Sequence, residues 1–383
     1  MNNILEMIKN EKVEWKKLGD VCEILDYKRK PVKKSQRIPG EYPYYGANGI
    51  QDYINDYIFD GTFLLMGEDG SVMDEHNRPI LHWVDNKKIW VNNHAHVLAE
   101  KNKNYNLRYI YYFLSKSDVS DIVNGLPPKI NQKKLRNIDI CFPTLETQER
   151  IVKILDTMVD HFTQLQAELQ AELQARNRQY EHYRDKLLSE EYLNKLSEKF
   201  GGEIEYQELG DVLSYEQPTK YIVKSTQYDD EYPIPVLTAG KSFILGYTNE
   251  EDGIYYASKK DPVIIFDDFT SGYHWVEFNF KIKSSAMKMI KPKKNVNFKY
   301  CYYYMGKYYT DITDHKRLWI SIYSKNIIPI PSIPVQDHIV SILDDFNKIV
   351  SDINEGLPKE IELRQKQYEY YRERLLDFKR EED

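Results

Sequence analysis

Cysteine is scarce in this 383-residue chain. Cys22, Cys141 and Cys301 lie far apart and form no CxxC pair, which excludes a disulfide framework and argues against a structural zinc site. Long apolar runs are missing too. No stretch approaches the roughly 20 residues of a membrane span, and the opening MNNILEMIKNEK lacks the apolar core of a secretory signal. The expectation is a reduced, cytoplasmic protein. Positive net charge is also lacking: the balance is −7, which on its own argues against a nucleic-acid binder. The charge is segregated, however. Acidic residues gather in QAELQAEL, SEEY, LDDF and the REED tail, while KRKPVKK, NKKIW, QKKLR and KPKK are basic. The 32 tyrosines stand among these basic clusters, a mixture that suits phosphate contact with stacking as well as it suits core filling.

Glycine and proline are absent from Leu145 to Leu188, and that stretch is the one the chain is organised around. Apolar side chains recur at Ile151, Leu155, Met158, Phe162, Leu165, Leu169 and Leu173, then the walk passes Arg176 to Tyr180, Tyr183 and Leu187. Steps of four and three, with one extra four, make a heptad seam with a stutter and predict a long helix paired with another. Its ends return later. QERIVKILD at 148–156 matches QDHIVSILD at 336–344 in six of nine positions, and QYEHYRDKLL at 179–188 matches QYEYYRERLL at 367–376 in seven of ten. The second copy carries Gly356 and Pro358 between them, so a break or kink is expected near 356–358.

The remaining segments repeat as well. EWKKLGDVCEI at 14–24 and EYQELGDVLSY at 205–215 stand 191 residues apart, as do NLRYIYYFLSK at 106–116 and NFKYCYYYMGK at 297–307. Between them run short apolar and β-branched stretches with Asn-Gly and Asp-Gly turns, predicting a mainly antiparallel sheet in each half. The expected order is an N-terminal segment (1–10, a short helix), a first globule (11–145), a helical spacer (146–196), a second globule (203–334) and a second helical spacer (335–383), with Gly201-Gly202 as the linker.

No motif for chemistry survives inspection. NPPY- or DPPW-type methyltransferase tetrapeptides are lacking, and Ala239–Ser242 (AGKS) mimics a phosphate-binding loop whose first glycine is replaced by Pro235. The chain is read as non-catalytic, without a cofactor of its own.

VEWKKLGDV, YPYYGANGI, FPTLETQERIVKILD, QYEHYRDKLL and GLPKEIELRQKQYEYYRERLL together resemble the specificity subunits of type I restriction–modification systems, in order and over essentially the whole chain. The resemblance implies an α+β protein: two pseudo-two-fold-related α/β target recognition domains separated by two long helices forming an antiparallel coiled coil. Each domain would bind one half of a split DNA site. The helices would set the spacing and dock two modification subunits, which use S-adenosylmethionine to methylate adenine. Two restriction subunits would add ATP- and Mg-dependent translocation and cleavage. Independently, two similar globules on a rigid spacer suit two half-sites at a fixed distance. A coiled-coil scaffold whose globules bind another ligand is the alternative, and an enzyme with a nucleotide site at AGKS the third reading.

Candidate DNA contacts follow from residue chemistry. Lys28, Arg29, Lys30, Lys33 and Lys34 form a phosphate clamp around Pro31; Asn48 and Gln51 suit adenine edges, with Tyr44 or Tyr45 on phosphate. Asp69 and Ser71, and in the second half Thr270, Ser271 and Tyr273, follow buried strands. The NNHAH stretch at 92–96, with Asn93 and His94, corresponds to KSSAM at 283–287, with Lys283 and Ser284; His94 and His96 lack a third ligand, which favours a buried or DNA-facing pair over zinc. Lys129, Asn131, Gln132 and Lys133, with Arg317 and Lys325, line the approaches to the closing strands, and Lys241 completes the set. Each of these also fits a turn, a cap or a solvated surface. The tyrosines at 109–112 and 300–304 are assigned mostly to packing. For partner docking the candidates are Gln148, Arg150, Tyr180, Tyr183, Arg184, Gln336, Tyr368, Tyr371 and Arg372.

Overall fold

The computed structural model describes residues 8, 11–238, 242–293, 296–308 and 317–378, without the side chains of 352–355 and 357. Apart from Ile8, the expected N-terminal helix lies outside the described residues. Two compact units emerge: Met1–Leu169 with Leu357–Asp383, and Gln170–Gly356. Each therefore contains one globule, part of the first long helix and part of the second.

In the first unit the strands are β1 (Glu14–Lys17), β2 (Cys22–Ile24), β3 (Pro39–Gly46), β4 (Gly49–Ile54), β5 (Phe59–Gly67), β6 (Leu81–Val91), β7 (Ala95–Glu100) and β8 (Asp139–Phe142). Six of them form a sheet in the order β2-β7-β5-β6-β3-β4, antiparallel throughout except for the parallel β3–β6 pair; β1 pairs with β8. Short helices α1 (Leu18–Val21), α2 (Leu107–Leu114) and α3 (Gln132–Arg136) share a core with strands β2, β5 and β7, and α4 (Leu145–Leu187) is the first long helix.

The second unit repeats the plan. After α5 (Glu190–Phe200) come β9 (Glu205–Glu208), α6 (Leu209–Val212), β10 (Leu213–Glu216), β11 (Ile234–Leu237), β12 (Ile244–Thr248), β13 (Val263–Asp267), β14 (Tyr273–Val276), β15 (Lys281–Ile282) and β16 (Met287–Pro292). They are followed by α7 (Phe298–Met305), α8 (Leu318–Ser321), β17 (Ile327–Ile330) and α9 (Ile333–Leu375). Sheets β10-β16-β13-β14 and β12-β11-β15 reproduce the first unit's sheet cut in two, because β14 and β15 stand where β6 runs unbroken. The parallel pair recurs as β11–β15.

The sequence pattern explains how each globule grips its long helix. Asn106 caps α2 by accepting from the N–H groups of Arg108 and Tyr109, and Asn297 caps α7 by accepting from those of Lys299 and Tyr300. The N–H of Asn106 donates in turn to Gln148 Oε1 on α4 at 2.9 Å, and that of Asn297 to Gln336 Oε1 on α9 at 2.8 Å. Each glutamine amide then donates to a proline carbonyl, Pro143 at 2.9 Å or Pro331 at 2.7 Å. Further along each long helix, Asp156 takes Arg108 Nε at 2.8 Å and the Tyr112 hydroxyl, while Asp344 takes Lys299 Nζ at 2.7 Å and the Tyr303 hydroxyl. Tyr109, Tyr112, Tyr300 and Tyr303 are buried, in keeping with their assignment to packing.

The long helices pair within each unit. Ile151 and Leu155 share a core with Leu375 and Leu376, and Leu187 and Leu188 share another with Ile339 and Leu343, so the start of one helix meets the end of the other. Tyr183 stacks on Phe346 with centroids 5.1 Å apart. Of the break or kink expected near 356–358, there is no break: α9 continues through Gly356 and Pro358. The helical spacer expected at 146–196 does divide, α4 ending at Leu187 and α5 starting at Glu190 behind the Ser189 cap.

The glutamine clamp is testable. Gln148→Ala and Gln336→Ala each leave a buried N–H and C=O without partners, so each should lower unfolding free energy by about 1–3 kcal/mol in denaturant titrations. Exposed Glu149→Ala should stay within about 0.5 kcal/mol of the parent.

Candidate nucleic-acid interface

In the first unit, segments far apart in sequence converge where β5 and β7 meet. Glu68 donates its N–H to His94 O at 2.8 Å and accepts from the N–H of Ile130 at 2.8 Å, which draws the Lys129 loop onto the strand end. Lys129 Nζ reaches Glu68 Oε1 at 3.1 Å. Beside it the Asp69 carboxylate meets His94 Nδ1, and Asn48 Nδ2 donates to Ser71 Oγ at 3.1 Å. Gln51 Oε1 accepts from Asn92 Nδ2 at 3.3 Å. Asn48, Gln51, Ser71, Asn93, His94 and Lys129 are exposed. One surface thus carries amides, hydroxyl, imidazole, carboxylate and ammonium, the groups that hydrogen-bond base edges and phosphates.

Beneath this surface lies a buried charged centre that the sequence reading missed. His96, fully buried, places Nδ1 2.7 Å from Asp26 Oδ2 and Nε2 2.8 Å from Ile130 O. Arg29 Nη1 donates to Glu68 Oε2 at 2.6 Å and to Ala95 O at 2.7 Å, and Gln132 Nε2 donates to Asp26 Oδ2 at 3.1 Å. Asp26, Glu68 and His96 bring ligand atoms within 4.8 Å of one another, but the Arg29 guanidinium already supplies the cation to both carboxylates. Burial works against the charged Asp26 carboxylate. The hydrogen bond and charge of His96, the guanidinium and the Val97 N–H outweigh it and hold the carboxyl below its ordinary value.

The second unit has a counterpart with different chemistry. Asp268 donates its N–H to Ala286 O and accepts from the N–H of Leu318, each at 2.9 Å, as Glu68 does with His94 and Ile130. Lys288 stands where His96 does and forms a fully buried ion pair with Asp268 at 2.9 Å; its Nζ also lies 3.2 Å from Gln217 Oε1, in the place of Asp26. The offset of 191 to 192 residues that matches Asp26 with Gln217 and His96 with Lys288 was the signal available in the sequence.

Lys28, Lys30, Lys33, Lys34 and Lys133 are exposed, as are Thr270, Ser284, Arg317 and Lys325. The Thr270 hydroxyl donates to Asp267, and Lys283 Nζ contacts Tyr228 Oη at 3.0 Å. Ser271 takes a left-handed φ of 58°. Lys241, with Ala239 and Gly240, lies outside the described residues.

Several side chains are not free for the contacts expected of them. Tyr44, 1% exposed, and Tyr45 lie in the core, where the Tyr44 oxygen accepts from Val32 N–H; neither has surface for phosphate. Arg29 and Gln132 are committed to the buried centre. Asn131 is exposed, but its side-chain oxygen caps α3 by accepting from Lys134 N–H. Tyr273 packs edge-on against Tyr302, 5.2 Å between centroids, at the side of the second core. Gln148 and Gln336 are each 1% exposed and belong to the internal clamp, so they offer no docking surface. Of the remaining docking candidates, Arg150 is exposed and Tyr183 partly so, while Tyr180, Tyr368 and Tyr371 are half-buried. Burial pushes the Tyr180 and Tyr368 hydroxyls up to about 12. Tyr368 packs against the first core, with the Arg372 guanidinium 5.6 Å from its ring. Arg372 is itself 6% exposed, and its Nε and Nη2 have no hydrogen-bond partner among the described residues. Arg184 is half-buried and paired with Asp185 at 2.9 Å.

Two globules of one plan, each clamped to a long helix pair and each presenting polar loops, define the class of a bipartite recognition scaffold. The chain belongs to the type I restriction–modification DNA specificity family, whose family model matches residues 10–175 and 202–363. It is 36% identical over 393 residues to a putative type I restriction enzyme specificity subunit of Haemophilus influenzae, covering 97% of each chain. A type I restriction enzyme specificity subunit of Escherichia coli is 51% identical over 199 residues, a match spanning 49% of this chain and 48% of that one. Among solved structures, the type I S subunit from M. genitalium superposes with a TM-score of 0.51 at 15% identity, covering 97% of this chain and 98% of that one. A chain from a study of assembly and conformational transition of the type I system gives 0.60 at 11% identity, covering 96% and 98%. Specificity subunits of this family are non-catalytic, and their partner subunits carry the chemistry. No helix among the described residues is long and apolar enough to cross a membrane.

The buried centres make two predictions. A carboxyl held low in the fold stabilises it above the unfolded pKa of about 3.9 and loses that contribution as the pH falls through the folded value. Asp26→Asn should therefore be less stable than the parent at pH 7, with the difference closing below about pH 3.9 in urea melts across pH. Lys288→Met strands the Asp268 carboxylate and should cost about 3–5 kcal/mol at neutral pH by the same measurement.

Proposed function

We propose that each globule reads one half of a split DNA target, and that the long helices set the distance between the halves. The observation that carries this reading is the convergence of Asn48, Ser71, Asp69, His94 and Lys129 on one surface of the first globule. The exposed lysines at 28, 30, 33, 34 and 133 are phosphate contacts, as are Arg317 and Lys325 in the second globule. Two modification subunits dock on the helix pair, bringing S-adenosylmethionine for adenine methylation, and two restriction subunits bring ATP- and Mg-dependent translocation and cleavage. Both activities place the complex in the cytoplasm with the DNA.

The test is adenine-methylation mapping of a genome carrying this chain and its modification subunit, against a strain lacking the chain. A bipartite motif lost on deletion supports the reading; an active modification subunit with no motif lost defeats it. Within that map, Asn48→Ala and Ser71→Ala should relax one half-site and leave the other intact.

The spacer is testable in the same assay. LQAE-LQAE-LQAR at 165–176 lies inside the uninterrupted helix α4. Removing one unit shortens it by roughly 6 Å and rotates it by about 40°. With DNA rising about 3.4 Å per base pair, the recognised spacer should shrink by roughly one to two base pairs. An unchanged spacer in the deletion variant refutes this role for the helix.

A further inference from the structure

The first globule exposes one feature that polar readout does not use. Asn124 and Lys129 exchange backbone hydrogen bonds at 3.0 and 2.8 Å, closing a hairpin whose tip is Gly125, Leu126, Pro127 and Pro128. Its base is fixed to the strand end: Gly70 N–H donates to Pro128 O at 3.0 Å, and Lys129 Nζ reaches Glu68 at 3.1 Å. Gly125 takes a φ of 83°, and the two prolines restrict the chain that follows. At the tip, Leu126 is 98% exposed, more than any other large apolar side chain among the described residues.

A stiff hairpin holding a leucine in water gains nothing for the fold. Burying that side chain against a ligand removes apolar surface from water and so favours the bound state. Its surroundings indicate which ligand. Lys129 and the Asp69–His94 pair adjoin the hairpin base, and the isolated leucine offers far less than the several hundred Å² of contiguous apolar surface typical of protein docking. An apolar tip framed by hydrogen-bonding and cationic groups has the chemistry of a side chain that enters a base step and unstacks it.

We infer that Leu126 is a wedge that inserts at a base step of the half-site read by the first globule. The inference rests on the DNA-recognition reading above. The leucine leaves water for the stack, the step opens, and the bend brings the surrounding polar loops closer to the groove.

The experiment uses the full chain assembled with its modification subunits and duplexes carrying the mapped target. 2-Aminopurine replaces each purine of the first half-site in turn, apart from the methylated adenine, and a second series labels the other half-site. Wild type and Leu126→Phe should raise the fluorescence at one step of the first half-site. Leu126→Ala should abolish that rise and weaken binding about tenfold, with signals from the second half-site unchanged. A rise retained by Leu126→Ala, or no rise in the first half-site with the wild type bound, overturns the wedge. Loss of subunit assembly in Leu126→Ala before DNA is added would assign the leucine to a protein contact and overturn it equally. Failure of the wild-type complex to bind the duplex would instead overturn the DNA-recognition reading, and the wedge with it.

Discussion

A hydrogen-bonded clamp between a short capped helix and a long one, built twice, is the constraint on which the molecule depends. Gln148 and Gln336 each bridge an N-cap residue and a proline carbonyl from inside the protein, and Asp156 and Asp344 each gather a cation and a tyrosine further along the helix. The glutamines are buried and depend on these partners for their hydrogen bonds, while Asp156 and Asp344 are only partly covered. The clamps join each globule to its long helix at two points, one turn region at the glutamine and another at the aspartate.

Much of the architecture was legible because the chain says it twice. The 191-residue offset, the heptad walk and the alternating strand runs located the sheets, the capped helices and both long helices. Pro358 is a local signal for a break or a kink, yet α9 is one helix from Ile333 to Leu375. Inside a long helix held by packing on both sides, one lost hydrogen bond does not end the element. The candidate surface was legible as stretches of sequence, not as individual roles. Tyr44, Arg29, Asn131 and Gln148 all sit in segments whose residue types suggest contact, yet their side chains point inward or cap a helix. Residue type and turn position identify a loop; only the fold decides which of its polar groups a buried neighbour has already taken.

The two globules show how that decision can differ over a shared frame. One centre uses Asp26, His96, Arg29 and Glu68, and the other uses Gln217, Lys288 and Asp268 at matching strand ends. Buried charges must be balanced, so these residues are interdependent: Arg29 and His96 face the Asp26 and Glu68 carboxylates in one centre, and Lys288 faces Asp268 in the other. The same backbone hydrogen bonds, from Glu68 or Asp268 to the neighbouring strand and loop, persist in both. Backbone pairing fixes the frame, and side-chain charge fills it in one of at least two ways.

The exposed layer obeys a looser rule. Asn48 and Ser71, like Asp69 and His94, hold each other by a single contact at the surface, which orients them and leaves further donors and acceptors open. Replacing such residues removes little buried area and strands no buried charge, so the cost to the fold is small. Recognition chemistry can therefore change in the loops while the balanced centre beneath keeps them in place. This separation of layers is what lets one architecture hold two globules of different chemistry in a single chain.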